Sequence, residues 1–138
     1  MKNELRKRII LFLGNDSYKK NKANDQEISN AEKKLNISLN SEYKEFIKEF
    51  GGCYLGYDIY AFKNERGLEK RSFVDLTLDF KNQGVPLNAN QYIISFDGSG
   101  NPIVQNTNGK VLIFDHDIGE FEILAESLED LIEKNLLD

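Results

Sequence analysis

The sequence predicts an α+β domain: N-terminal helices packed on a mainly antiparallel sheet, with a closing C-terminal helix. Three observations carry this. Apolar residues recur at helical spacing through the first fifty positions, as in Ile28, Ala31 and Leu35 and again in Tyr43, Phe46, Ile47 and Phe50. From Cys53 the period shortens to two, and between residues 92 and 124 short β-prone runs alternate with Gly, Asn and Asp turns. Ser127 then opens a final helical stretch with Leu128, Leu131, Ile132 and Leu136 on one side. With 138 residues, a single domain over 1–138 is expected. A chain of this size buries roughly two-thirds of its unfolded surface, so it needs no disulfide or metal staple.

The elements follow in order. A first helix is expected over residues 2–13, with Leu5, Ile9, Phe12 and Leu13 on its buried face. Residues 14–25, GNDSYKKNKAND, read as a polar loop whose lysines are ordinary solvated cations. Asn24 and Glu27 have the spacing of a capping box, which starts a second helix ending near Asn36. Glu32 falls at the same spacing as its apolar neighbours. A short apolar link, Ile37 and Leu39, leads to a third helix capped by Asn40 or Ser41 and stopped by Gly51-Gly52. Residues 54–60, YLGYDIY, read as one aromatic-rich strand, and KNERGLEKR after them as a loop. Ser72 caps a helix carrying Phe73, Leu76, Thr77 and Phe80, which Gly84 closes. Strands are expected over 92–96, 103–105, 111–114 and 121–124, with Asn108-Gly109 as the clearest hairpin turn.

Composition excludes several functions. No run approaches the ~18 apolar residues of a membrane span. Ile9 to Leu13 is too short for a signal-peptide core, so a cytoplasmic protein is expected, in agreement with a single cysteine. Charge is unevenly placed. Residues 1–50 carry 11 Lys and Arg against 8 Asp and Glu, whereas residues 90–138 carry 2 against 10. An acidic last third argues against nucleic acid as partner and suits a basic protein. An ordinary solvated surface would give the same skew.

The chemistry of catalysis is not written in the chain. Cys53 and His116 are its only cysteine and histidine, and their order and flanks match no nucleophile–base pattern. Two such residues cannot make a zinc site. Asp97-x-Ser99-x-Asn101 begins like a calcium loop, but Pro102 and Asn108 stand where that loop needs Gly and Glu, so a tight turn bonded to its own backbone is expected. Asp115, Asp117, Glu120 and Glu122 offer carboxylate pairs on a turn too wet for acid–base work. No enzyme activity, metal or cofactor is expected.

The stretch ISNAEKKLNISLNSEYKEFIKEFGG, residues 28–52, resembles the signature of the SUKH superfamily, which includes the Smi/Knr-type cell-wall regulators of yeast. Ile28 and Glu32 match its Ile-x-x-x-Glu helix, and Tyr43, Phe46 and Gly51-Gly52 match its Tyr-x-x-Phe helix with a Gly-containing end. Residues 92–101 resemble the strand and acidic-Gly turn of the family, and residues 125–137 its acidic last helix. The family's Leu-Pro link is Leu39-Asn40 here, its Gly-Asp turn is Gly100-Asn101, and its second-half Trp is missing. The resemblance implies a protein-binding module. Many bacterial members are immunity proteins that neutralise a toxin domain, often a nuclease or deaminase, delivered by neighbouring cells. On that footing the expected partner is a basic toxin domain, and the expected contact residues are Asp97, Asp115, Asp117, Glu120 and Glu122, with Tyr57 and Asp58 at the edge of the sheet. An intracellular regulatory scaffold like the fungal members is the second reading, placed behind because those carry long disordered flanks.

Overall fold

A computed structural model of the chain describes residues 1–136. Helix α1 (Asn3–Leu13) is followed by a short 3₁₀ helix (Ser17–Asn21), α2 (Asp25–Leu35) and α3 (Ser41–Phe50). Then come β1 (Cys53–Tyr54), β2 (Asp58–Ile59), α4 (Phe73–Asn82), β3 (Gln91–Phe96), β4 (Pro102–Asn106), β5 (Val111–Asp115), β6 (Glu120–Ala125) and α5 (Leu128–Leu136). Strands β3 to β6 form one antiparallel meander in sequence order, and β1 and β2 form a separate antiparallel hairpin. The class is the α+β arrangement expected. Leu137, the end of the last family-like stretch, lies outside the described residues.

Local rules place the helices. Asn24 accepts from the Glu27 N–H at 2.8 Å and Glu27 accepts from the Asn24 N–H at 3.1 Å, so two donors at the start of α2 are satisfied reciprocally. The chain leaves α2 through Asn36 in the left-handed region, φ 55°. Glu32 then turns the link back: its carboxylate accepts from the Leu39 N–H at 2.8 Å and lies 3.7 Å from the Lys44 ammonium on α3. Asn40 caps α3, accepting from the Glu42 N–H at 3.0 Å.

Two adjacent glycines end α3 for different reasons. Gly51 has φ 67° and lies against the Asn21 backbone. A Cβ on Gly52 would collide with the Asn64 carboxamide, which shapes the following loop by accepting from Ala61 N–H and donating to the Glu69 and Arg71 carbonyls at 2.9 and 3.0 Å.

The core is built around α3. Tyr43, Phe46, Ile47 and Phe50 are all completely buried. The Tyr43 ring packs 5.2 Å from Phe73 of α4 and 5.3 Å from Tyr92 of β3, and its hydroxyl donates to the Tyr60 carbonyl at 2.6 Å. The buried Tyr92 hydroxyl donates to Gln105 at 2.6 Å, and Gln105 in turn donates to the Gly109 carbonyl at 3.1 Å, holding the β4–β5 turn from inside.

The two edges of the main sheet differ. The outer edge of β3 is closed, because the Tyr60 N–H donates to the Ile94 carbonyl at 2.9 Å and the Ile93 N–H donates to the Thr77 hydroxyl of α4 at 2.9 Å. The outer edge of β6 has no neighbouring strand among the described residues.

Three sequence expectations are corrected. Phe12 is not on a buried face: Leu5 and Ile9 are buried, but Phe12 is 50% exposed, with its ring 6.2 Å from that of Tyr54. The ties that hold α1 come from its beginning, through Lys2 to Glu133 and Arg6 to Glu49, and its last turn runs beyond them. Residues 54–60 are not one strand, because Gly56 at φ 86° reverses the chain and pairs Tyr54 with Asp58. The loop over 14–25 contains the 3₁₀ helix, ordered by Tyr18, which is buried with its ring 5.4 Å from Phe50.

A carboxyl pair joins the starts of α3 and α5. Glu42 accepts from the Glu129 N–H at 3.1 Å, and Glu129 accepts from the Lys2 N–H at 3.0 Å. Burial first, and the hydrogen bond to the Glu129 carboxyl second, push Glu42 up to about 7. Glu129 goes the other way: burial would raise it, but the bond from Glu42 and the nearby Lys2 N–H and N-terminal ammonium hold it below the ordinary glutamate range. Of the two groups, Glu42 is the one that takes up a proton more readily.

Two outcomes follow from these contacts. Tyr43→Phe leaves the Tyr60 carbonyl without its buried donor and is expected to cost about 1–3 kcal/mol in urea unfolding. A folded pKa raised above the unfolded value means that Glu42's contribution is complete below pH 4.5 and is lost as the pH rises towards 7. Glu42→Gln keeps both hydrogen bonds and removes that loss. It is expected to gain about 1 kcal/mol at pH 8, a figure discounted for partial solvent exposure, and nothing at pH 4, read by denaturant titration at both values.

Candidate functional site

The meander places two of its three turns at the same end of the sheet, since β3–β4 and β5–β6 reverse on one side and β4–β5 on the other. The shared end carries residues 97–101 and 116–119. Asp97 builds the first turn, accepting from the Ser99 N–H at 2.9 Å, the Asn101 N–H at 2.8 Å and the Asn101 side-chain amide at 3.0 Å. Slight burial raises the Asp97 carboxyl, but the bonds from Asn101 and Ser99, and His116 nearby, outweigh it and hold the group below the usual aspartate range. In the second turn Asp115 accepts from the Asp117 N–H at 2.8 Å, and Gly119, at φ 70°, donates its N–H to the Asp115 carbonyl at 2.7 Å. The His116 N–H donates to the Asn101 side-chain oxygen at 3.2 Å, which ties the two turns together.

Asp97, Asp115, Asp117 and Glu120 therefore stand at one end of the sheet, with Glu122 two residues further along β6. Asp115 and Glu120 are direct cross-strand partners, and Glu122 faces Ile113. Two carboxylates opposite each other destabilise a strand pair. None of these five acids forms an ion pair among the described residues. Several acids elsewhere are matched, Glu49 by Arg6, Asp25 by Lys48, Glu32 by Lys44, Glu133 by Lys2, and Glu69 and Asp79 both by Arg71, whereas others such as Glu4, Asp58, Asp75 and Glu126 are not.

Tyr57 and Asp58 belong to a different part of the surface. They sit in the β1–β2 hairpin, on the β3 side of the molecule, and not on the acidic turns. Tyr57 is half-buried and packs on the core, and partial burial raises the Asp58 carboxyl above the ordinary range. The aromatic ring this hairpin offers to solvent is Tyr54. Two apolar contributors beside the acids escaped the sequence reading: Ile118 and Ile123, 55% and 59% exposed. Ile118 is legible in hindsight as a lone isoleucine inside the run DHDIGE. Ile123 is not, because the alternation Glu120-Phe121-Glu122-Ile123 reads as if its isoleucine were on a dry face, whereas it is exposed.

Cys53 is fully buried, and burial, with Glu65 adding to it, pushes its thiol well up, which disfavours a nucleophilic thiolate. His116 lies on the exposed turn with its ring edge-on to Phe114 at 5.3 Å. Among the described residues no group of three or more His, Cys, Asp and Glu side chains is placed to hold a metal ion. No described helix is long and apolar enough to cross a membrane.

Residues 25–132 match the SUKH_6 family model, described as SMI1-KNR4 cell-wall. The chain belongs to the SUKH superfamily. No curated protein matches the chain. The match begins at α2 and ends within α5, so it takes in the Glu32 link, the α3 core and both acidic turns, while α1 and the 3₁₀ helix precede it. The SUKH motif residues have physical jobs here: Ile28 is core, Glu32 fastens the link, Tyr43 is the buried hub and Gly51-Gly52 admit two neighbouring segments.

Asp97 organises its turn in the ionised form. Its depressed pKa means that its contribution is present above pH 3.8 and is lost as the pH falls through the lower folded value. Asp97→Ala is expected to cost about 1 kcal/mol at pH 7 and less at pH 3, measured by chemical denaturation at the two pH values.

Proposed function

We propose that this SUKH domain is an immunity protein: a cytoplasmic, non-enzymatic module that binds and neutralises a basic toxin domain of nuclease or deaminase type. The observation that carries the reading is the set of unmatched acids at one end of the sheet, above all Asp115 facing Glu120 with no cation near either. An isolated fold gains nothing from that pairing. A cationic partner relieves the repulsion, and its approach is accelerated by the same field. Nuclease domains present cationic grooves to phosphate, so an acidic surface of this kind can occupy the groove in place of the substrate. Family membership supports a protein-binding role, and the exposed Ile118 in the acidic turn, with Ile123 on the other face of β6, supplies the apolar contact that pure electrostatics lacks. Asp97, Asp117 and Glu122 complete the surface, and Tyr57 and Asp58 lie outside its centre.

The test is capture of partners from the source organism with the tagged chain, washed at low and then high salt. A basic toxin fragment held at low salt and weakened at high salt is the expected result. Combined Asp115→Lys, Asp117→Lys, Glu120→Lys and Glu122→Lys is expected to abolish that capture while the circular dichroism of the fold is kept. Capture unchanged by the reversal would overturn the acidic end as the contact. Recovery of a housekeeping cell-wall enzyme instead would favour the regulatory-scaffold reading.

A further inference from the structure

The main sheet is sealed on one side and open on the other, and we infer that the open side, the outer edge of β6, accepts an extended strand from the partner. The inference rests on the immunity reading only for who the partner is. It concerns how the contact is made. Along β3 two outward backbone groups are answered, the Ile94 carbonyl by Tyr60 and the Ile93 N–H by Thr77. Along β6 no such bonds are present among the described residues, so alternate N–H and C=O groups from Glu120 to Ala125 point into solvent. Proteins blunt open edges with proline, charged side chains, bulges or very short strands. This edge has six residues, no proline and no cation; a bulge interrupts its pairing with β5 between Ile123 and Ala125, so the regular stretch is Glu120 to Ile123, which carries two glutamates and the exposed Ile123.

The side chains of β6 define the occupant. Glu120 and Glu122 project to one face of the sheet, while Phe121 and Ile123 project to the other, as their partners Asp115, Ile113, Phe114 and Leu112 on β5 require. A strand laid beside β6 meets a row of carboxylates on one face and apolar groups on the other. It is therefore an amphipathic strand with Lys or Arg at every second residue and Val, Ile or Thr between them. A second copy of this chain does not fit. Pairing β6 with its own image sets rows of glutamates against each other, and like charges directly opposite are destabilising.

The probe is an eight-residue peptide alternating lysine with valine, with two derivatives N-methylated either at every lysine or at every valine. Side-chain face and amide direction share the same period of two, so only one of these two sets of amides points at β6. The expected results are saturable binding, slowed amide exchange at alternate residues of 120–123, ahead of the bulge, loss of binding for one methylated peptide and retention for the other. Glu120→Lys with Glu122→Lys is expected to weaken the parent peptide about tenfold or more at low salt. Equal binding of both methylated peptides, amide shifts confined to the 97–101 and 116–119 turns, or a dimer of the chain that blocks the peptide would each overturn the proposal. The outcome separates from the immunity reading. A captured toxin that leaves β6 amides unprotected removes strand addition and keeps immunity; peptide pairing on β6 with no toxin captured does the reverse.

Discussion

The arrangement depends on one buried hydroxyl. Tyr43 sits at the point where α3, α4, β3 and the segment after β2 converge, completely out of water, and its phenol can leave water only by finding an acceptor. The Tyr60 carbonyl is that acceptor. Fixing Tyr60 also fixes its N–H, which reaches Ile94 and closes the edge of β3. A side chain on a helix thereby helps to close one side of the sheet. The Tyr92 hydroxyl does comparable work one layer on, through Gln105 to the β4–β5 turn. Few polar groups are buried in this core, and those that are act as registers between elements.

Much of this was legible in the sequence, and the reasons divide by range. The Asn24–Glu27 box, the Asn40 and Ser72 caps and the Asp97 turn involve residues two to four positions apart, so residue type and spacing suffice. The meander is legible because each turn carries its own chemistry. What failed depends on distant partners. The exposure of Phe12 depends on where α1 stops meeting the other helices. The 3₁₀ helix depends on Tyr18 finding Phe50. The run over 54–60 alternates like a strand, and the glycine that splits it has its reason in a neighbouring element, since a side chain on Gly56 would strike Asn135 of α5. For the candidate site, the acids were visible as a compositional skew, whereas their union through Asn101 and His116 and the absence of counter-ions needed three dimensions.

The charge of the molecule is organised as well as unequal. On the helices just over half of the acids have a cation within reach, and Arg71 serves two acids, Glu69 and Asp79. Such exposed pairs contribute little each, but they reduce the net field of the helical side. The sheet end has no equivalent. A molecule whose field is partly cancelled on one side and uncancelled on the other presents a defined direction to an approaching charged body.

The sealing of β3 has a further consequence for assembly. Runaway growth of sheets into fibres requires each added unit to offer a new free edge once it has docked. A sheet with one edge closed by Thr77 and Tyr60 offers none. Copies of this chain alone therefore cannot propagate the main sheet beyond a single β6-to-β6 contact, because β3 offers no second edge.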